Sequence, residues 1–404
     1  MPHRSPLHCP PEVPAAHVAP NVFFSTPTQR VGLARQRFFD EGVRPTGLVS
    51  EAVIQSWTRC IQAERATTES LSFTPVTRSR IDSAVARNRL LLEAGQEDLR
   101  QLQALLAGTG CKVILTDARC VVVHASPTER EHGPLMWLAG RIGVDLSEAC
   151  VGTTAPGMVA ISGQSCTVQG AEHYFALNRG LHCAAAPIRD VRGDLAAVLD
   201  LSCEGREFQF DAAALARTYA AAIENRLLVR QARPFVLLRF QATPQLLHTP
   251  LEGLAAVDEC GQLLWMNAAG RSLLQAPRSP REDTTVERTF GLPLAPLIAA
   301  ARAGRLLWHG LPNGLRLCLL AQTEQHATYP APPPAAPMPA RPLPESAAAA
   351  AAAPEDGARL RDASQQLIEK TLAACAGNVS RAARELGVSR GLIYRHLKQA
   401  SAAR

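Results

Sequence analysis

The residues best suited to chemistry lie near the end of this 404-residue chain, where cationic and phenolic side chains recur at helical spacing. They are Arg390, Tyr394, Arg395 and Lys398. Arginine can bind guanine through two hydrogen bonds, and lysine neutralises phosphate. A helix with such a face is predicted to read the major groove of DNA. The alternative is a solvated basic face on a small helical hairpin.

Two short helices joined at Gly387 would position these side chains. The first begins at Asn378, whose side chain can accept hydrogen bonds from the free amides of a first turn. Its buried face is an apolar stripe with i, i+3, i+4, i+7 spacing: Val379, Ala382, Ala383 and Leu386. Gly387 suits a sharp turn, and Ser389 caps a second helix with Ile393 and Leu397 on its inner face. The pattern predicts a helix-turn-helix.

A third helix is predicted over residues 359–376, where Ile368, Leu372 and Cys375 share one face and Gly377 ends the helix. From residue 359 onward there are nine basic and three acidic residues, a net charge of +6 that equals the charge of the whole chain. The remaining body is therefore about neutral. The cationic excess is concentrated in the module that is predicted to contact phosphate.

This stretch resembles the Fis-type helix-turn-helix of bacterial enhancer-binding regulators, with its Asn, paired Ala, Leu-Gly, Ser-Arg, Tyr-Arg and Leu. The resemblance implies a homodimer on double-stranded DNA. It assigns DNA contacts to Ser389, Arg390, Leu392, Tyr394, Arg395 and Lys398. It assigns phosphate contacts to Asn378, Ser380 and Arg381.

The body of the chain alternates strand and turn signals over residues 98–232. Strand-like segments 112–117 and 120–124 flank an Asp-Ala-Arg turn, and segments 182–189 and 194–201 flank Asp-Val-Arg-Gly. A loop-helix region around residues 147–157 separates these two predicted hairpins. A long amphipathic helix over 211–231 closes the unit.

This unit resembles the GAF sensor domain of the acetoin-catabolism type of regulator. The resemblance rests on Ser147-Glu148, Val151-Gly-Thr153, Glu172-His173 and the segments 183–190 and 199–202, with leader motifs at 37–42 and 56–60. Thr154 replaces the family's Asn, and Val144-Asp-Leu146 replaces its aromatic pair. The resemblance implies an unidentified small-molecule effector, bound between an antiparallel sheet and covering loops.

Five residues are predicted to line or support the ligand pocket: Cys150, Thr153, Glu172, His173 and Cys183. In the alternative, Cys183 is a small buried apolar residue and the Glu172-His173 pair caps a loop. A metal on His173, His182 and Cys183 is conceivable, but the spacing matches no standard site. No base is fixed beside Cys183 in the sequence, so neither a catalytic residue, a metal nor an enzyme activity is predicted.

A smaller PAS-like α+β domain is predicted over 240–323. Leu254-Ala-Ala-Val257, a turn at 258–261 and 263–266 form a hairpin that leads into a helix at Asn267. Segments 305–309 and 315–320 flank Pro312-Asn-Gly314 and are predicted to form a second hairpin. A structural or dimerising role is favoured over a pocket here.

The whole chain is predicted to be an α+β multidomain protein. Its parts are a disordered tail (1–29), a helical leader (30–97), the GAF-like domain (98–232), the PAS-like domain (240–323), a Pro/Ala-rich linker (324–358) and the helix-turn-helix (359–404). No apolar run is long enough to span a membrane and no secretory signal is seen, which favours the cytoplasm. Eleven scattered cysteines favour reduced thiols over a disulfide framework.

The sequence contains no G-x-x-x-x-G-K-[ST] phosphate loop, although the resembling regulators carry a central AAA+ ATPase. We therefore expect a ligand-responsive, sequence-specific transcriptional regulator without ATP as a cofactor. Its expected partners are DNA and RNA polymerase. The alternative is a Fis-like architectural DNA-binding protein with a vestigial sensor.

Overall fold

The computed structural model describes residues 26–73, 77–127, 133–231, 235–276, 284–311 and 313–323, and also Thr371 and Val379. The chain divides into two units, Met1–Ala331 and Pro332–Arg404. Two antiparallel sheets with covering helices form the described part of the first unit, which confirms the predicted α+β class. Thr371 and Val379 are helical. The predicted linker and the rest of the predicted helix-turn-helix lie outside the described residues.

A helical leader opens the first unit. It comprises α1 (Pro27–Arg35), a π-helical turn (Gln36–Asp40), α2 (Glu51–Gln62), α3 (Arg78–Arg87) and α4 (Arg89–Leu105). The first helix begins inside the segment predicted as a tail, because the Thr26 hydroxyl accepts a hydrogen bond from Gln29 N and a proline follows at the first helical position. Ser50 caps α2 by accepting from Val53 N. Helix α4 runs across the predicted boundary at 97/98.

Trp57 anchors α2 in the core of this unit. Its side chain is fully buried, and its Nε1 donates to the carbonyl of Glu172 at 2.8 Å. The rings of Phe38 and Phe39 pack against it, with centroid distances of 5.4 and 5.1 Å. Leader and sheet therefore share one hydrophobic core.

The first sheet has the order β2-β1-β5-β4-β3 and is antiparallel throughout. Its strands are β1 (Lys112–Asp117), β2 (Val122–Ala125), β3 (Cys166–Gln169), β4 (Leu181–Arg189) and β5 (Leu195–Glu204). Helices α4 and α8 (Ala212–Gln231) pack on one face. The other face, which we call the loop face, lies under α1 and α2 of the leader, α5 (Pro134–Ala139), α6 (Glu148–Val151) and α7 (Ala155–Ser162).

Three hairpins turn in the same way, each at an aspartate. Asp117 Oδ1 accepts hydrogen bonds from the backbone N–H groups two and four residues later, at 2.9 and 3.0 Å. Asp190 does the same at 2.9 and 3.0 Å, and Asp258 at 2.9 and 2.8 Å. An aspartate side chain that bonds the backbone ahead of it fixes a turn. The predicted hairpins at these three positions are confirmed.

The expectation of reduced thiols is wrong for one pair, because Cys111 and Cys203 form a disulfide. Lys112 pairs with Ser202 across β1 and β5, so the cysteines just beyond that pair lie opposite each other. Their Cα atoms are 4.6 Å apart, a distance that a disulfide spans. Sequence spacing alone does not disclose this pairing, because 92 residues separate the two cysteines.

The second sheet has the order β8-β7-β6-β10-β9 and is also antiparallel. Its elements are β6 (Val236–Gln241), β7 (Gly253–Val257), β8 (Leu263–Met266), α9 (Ala268–Leu274), α10 (Val286–Phe290), α11 (Leu294–Ala303), β9 (Leu306–Gly310) and β10 (Arg316–Thr323). Asn267 caps α9 as predicted, its Oδ1 accepting from Gly270 N at 2.8 Å. The central strand β6 starts before the predicted boundary at 240.

Helix α8 joins the two sheet domains. Its last turns carry Leu228, which packs in one cluster with Leu237, Leu254 and Trp265 of the second sheet. One residue of the same helix, Asn225, accepts a 2.8 Å hydrogen bond from the Asn267 amide. Among the described residues, no helix is both long and apolar enough to cross a membrane.

Candidate ligand site on the loop face of the first sheet

His173 and Cys183, two of the predicted pocket residues, meet in the buried core. The Cys183 sulfur lies 3.5 Å from His173 Nε2, and His173 Nδ1 lies 3.0 Å from the carbonyl of Gly170. A carbonyl requires a donor, so Nδ1 carries the proton and the Cys183 thiol donates to Nε2. Burial lowers the pKa of His173 to about 4 and raises the pKa of Cys183 well above its ordinary value. The pair is neutral, which disfavours a nucleophilic thiolate.

Two polar residues of β5 lie beside this pair; both belong to the segment 199–202 that carries the resemblance, but neither is among the predicted pocket residues. Ser202 stands directly opposite Cys183, and its hydroxyl donates to Asp200 Oδ2 at 2.7 Å. Asp200 is only 1% exposed. In the described part of the chain, no group donates to its other oxygen, Oδ1. The loop face therefore carries a polar chain that ends in an unsatisfied acceptor.

Strand alternation places this chain where α7 covers the sheet. Val198 lies two residues before Asp200, on the same face of β5, and packs in one cluster with Ala155, Met158 and Val159 of α7. Ala185 pairs with Cys166 on one side and with Asp200 on the other. Its methyl group therefore lies between the Cys166 thiol and the Asp200 carboxyl. The surroundings of the Asp200 carboxyl are thus largely apolar.

Burial raises the pKa of Asp200 to about 7, and the hydrogen bond from Ser202 lowers it by a smaller amount. An unfolded aspartate ionises near pH 3.8. As the pH rises from about 4 to about 7, the unfolded chain releases this proton first, so the folded state loses stability; above about 7 the loss is complete.

We therefore expect Asp200→Asn to raise the melting temperature relative to wild type, by a margin that grows between pH 5 and pH 7 and then levels off. Thermal unfolding from pH 4.5 to 8.5 measures this margin. Ser202→Ala removes the donor and should move the window to higher pH. A margin that stays constant across the range would contradict the assignment.

Thr153, Cys150 and Glu172 lie apart from the polar chain. The Thr153 hydroxyl is buried and lies 2.7 Å from Ser56 Oγ. Cys150 is exposed, and its carbonyl accepts a hydrogen bond from Arg65. Glu172 Oε2 accepts from Gln169 N at 2.9 Å and so caps a short 3₁₀ turn, as the structural alternative predicts for it.

A charged network ties the leader to α6 beside Thr153. Arg59 binds Glu148 with both arms of its guanidinium group, at 2.6 and 2.8 Å, and Ser56 donates to the same carboxylate at 2.6 Å. A cleft of about 600 Å³ opens next to this network. Ala160 and Ile161 of α7 line it. Helix α7 therefore has the cleft on one side and the sheet on the other.

The structure brings no metal site together at the residues considered from the sequence. His182 and Cys183 are successive residues of β4, so their side chains point to opposite faces of the sheet. Within the described ranges, no group of three or more His, Cys, Asp or Glu residues is arranged to hold a metal ion.

The predicted DNA contacts cannot be placed in the same way, because they all lie outside the described residues. They are Asn378, Ser380, Arg381, Ser389, Arg390, Leu392, Tyr394, Arg395 and Lys398. The assignment of this segment rests on sequence comparison. Residues 359–399 match the family described as "Bacterial regulatory protein, Fis family", and residues 26–225 match "MimR, N-terminal domain".

The chain is homologous to the acetoin-catabolism and MimR transcriptional activators. It is 30% identical over 247 residues to the acetoin catabolism regulatory protein of Cupriavidus necator, covering 59% of this chain and 37% of that protein. To the propane 2-monooxygenase operon activator MimR of Mycolicibacterium goodii it is 28% identical over 202 residues, 48% of this chain and 32% of that one. The chain therefore matches about a third of the length of each.

Among solved structures, the complex of the N-terminal part of Escherichia coli DhaR with DhaL is similar to this chain. The TM-score is 0.43 and the sequence identity 17%, over 67% of this chain and 99% of that one.

Proposed function

We propose that this protein is a sequence-specific DNA-binding transcriptional regulator that responds to a small molecule. The observation that carries the proposal is the match of residues 359–399 to the Fis-family helix-turn-helix. The concentration of positive charge in the same segment supports it, because phosphate neutralisation dominates the affinity of proteins for DNA. Arg390 and Arg395 are the proposed base-reading residues.

The protein is proposed to bind DNA as a dimer. A single short recognition helix buries too little surface for high specificity, and two linked helices on two half-sites multiply the affinity. The matched relatives are named as regulators of acetoin catabolism and of a propane 2-monooxygenase operon, which supports a role in controlling operons.

The first sheet domain is proposed to be the GAF-type sensor, and the second to be a PAS-like domain that links it to the output. The unsatisfied Asp200 oxygen on the loop face supports a ligand there. We propose that regulation proceeds in the cytoplasm without ATP hydrolysis by this chain, since its sequence contains no phosphate-binding loop. Recruitment of RNA polymerase or occlusion of a promoter would then be the output.

The test is to select an operator from a random DNA pool with the full-length protein and to measure its affinity at fixed salt. Arg390→Ala and Arg395→Ala should each weaken binding by about 1–3 kcal/mol, or about 5- to 150-fold, because each removes a base contact. Arg89→Ala is the matched control, since Arg89 is an exposed arginine at the start of α4 and pairs with Glu93.

Unchanged operator affinity in both variants would show that the helix-turn-helix does not recognise bases through these arginines. Footprinting of the wild-type protein gives a second readout. A few defined sites support a regulator, whereas broad coverage of any sequence supports the architectural alternative.

A further inference from the structure

The loop face of the first sheet contains a carboxyl group that the described contacts only half satisfy. Asp200 is buried, its Oδ2 accepts from Ser202, and its Oδ1 accepts from no group in the described ranges. A buried polar oxygen without a partner costs free energy, and native proteins rarely retain one without a function or a bound molecule. The position therefore points to a missing partner.

Charged groups around Asp200 do not supply that partner. Helix α7, which covers this part of the sheet, contains no charged residue. Lys112 belongs to the next cross-strand row, opposite Ser202, and its side chain runs against Gly140 at the end of α5. The remaining titratable neighbours are the thiols of Cys166 and Cys183 and, through Cys183, the neutral ring of His173. None of these is a cation at neutral pH.

The side chains that pack around this carboxyl are small or apolar. Ala155 and Ala185 are small, and Val159 and Val198 are apolar. The opposite side of α7 lines the 600 Å³ cleft with Gly157, Ala160 and Ile161, so a single helix separates the cleft from the buried carboxyl. Two glycines with positive φ flank α7: Gly152, at φ +69°, lies before it, and Gly163, at φ +64°, ends it. A displacement of α7 would therefore bring the cleft and the carboxyl into contact.

We propose that Asp200 is the recognition point for a small aliphatic ammonium ion, whose N–H groups donate to Oδ1 while its alkyl part packs beneath α7. This inference deepens the proposed sensory function and rests on it. A cation supplies both a donor and the counter-charge that the described neighbours lack, whereas an alcohol supplies the donor alone.

The experiment uses the full-length protein and a series of alkylammonium chlorides from methyl to isobutyl, with isobutanol as the uncharged match. Thermal shift identifies binding, and calorimetry measures its affinity. We expect at least one ammonium ion to bind. Binding requires the carboxylate, so its affinity should rise about tenfold per pH unit below pH 7 and level off above.

Asp200→Asn keeps the shape of the side chain and should weaken ammonium binding about 10- to 100-fold, the range expected for a charge-assisted hydrogen bond. Since this variant is expected to be more stable than wild type near neutral pH, a lost response is not a loss of folding. Asp98→Asn is the matched control: Asp98 is a buried carboxyl that pairs with Arg226 at 2.8 Å on the opposite face of the sheet. It should leave binding unchanged.

Three results would overturn the inference. The first is no response to any ammonium ion, with Asp200→Asn merely more stable, which means that a buried water is the only partner of Oδ1. The second is an equal response to isobutanol without dependence on pH, which means that the site takes neutral donors. The third is ammonium binding that Asp200→Asn does not change. None of these three results changes the expected binding to the operator. Failure of the ammonium inference is therefore distinct from failure of the proposed DNA-binding function.

Discussion

Glu252→Ala is expected to lower the free energy of unfolding of the second sheet domain by about 3–5 kcal/mol, one of the two largest effects predicted for this protein. Glu252 and Arg239 form an ion pair whose side chains are both fully buried, with 2.5 Å between Oε1 and Nη1. Glu252 Oε2 also accepts from His248 N at 2.7 Å. Removing the carboxylate leaves a guanidinium group without its counter-charge in the core, which is the origin of the cost.

Urea denaturation monitored by tryptophan fluorescence measures this loss, since Trp265 lies in the second sheet. Glu93→Ala is the control, because Glu93 pairs with Arg89 at the surface and should change stability little. Burial raises the pKa of Glu252 despite the attraction of Arg239, so desolvation outweighs the attraction within the pair. Arg239→Met combined with Glu252→Leu should therefore recover much of the lost stability. A single variant as stable as wild type would show that the pair is hydrated in solution.

Reduction of the Cys111–Cys203 disulfide is expected to destabilise the first sheet domain by about 4–5 kcal/mol, the chain-entropy value for a loop of this length. The disulfide closes the loop from Cys111 to Cys203, which are 92 residues apart in sequence. This loop contains the whole polar chain from His173 to Asp200. The folded state changes little on reduction, whereas the unfolded chain gains conformational freedom.

Comparison of denaturation curves for oxidised and reduced protein, with thiol counting by mass, measures the effect. Cys203→Ser should match the reduced wild type and should not respond to reductant. Cys150→Ser is the control, since Cys150 is a free and exposed thiol. Equal stability of oxidised and reduced wild type would contradict the prediction.

Local signals in the sequence predicted the hairpins, because each is encoded within a few residues. Asp117, Asp190 and Asp258 turn the chain with their own side chains, and Asn267 caps the helix that follows it. Strand β6 was missed as an element, although Val236, Leu238 and Phe240 alternate with its other residues. Its central position depends on pairing with both β7 and β10, the latter some 80 residues further along.

The candidate site was predictable only in part, because its contacts also depend on the pairing of distant strands. His173 and Cys183 were selected by resemblance, and the structure places them in contact. Asp200 and Ser202 lie in the segment 199–202 that carries the resemblance but were not predicted as pocket residues, although polar residues at every second position of a buried strand signal a polar stripe on one face. The contact of Ser202 with Cys183 follows from strand register, and the disulfide follows from the same register. Register is set by the packed sheet and cannot be counted along the chain.

The sharing of α8 between two cores has a consequence for dissection of the protein. A fragment that ends at Gln231 would keep the first sheet but would uncover Leu228 and leave the Asn225 amide oxygen without its donor, Asn267. A fragment that begins after Gln231 would expose Leu254 and Trp265, which α8 covers. Each fragment would expose an apolar patch and would therefore tend to self-associate. The smallest fragment that keeps these contacts therefore contains both sheet domains and the intact helix α8 between them.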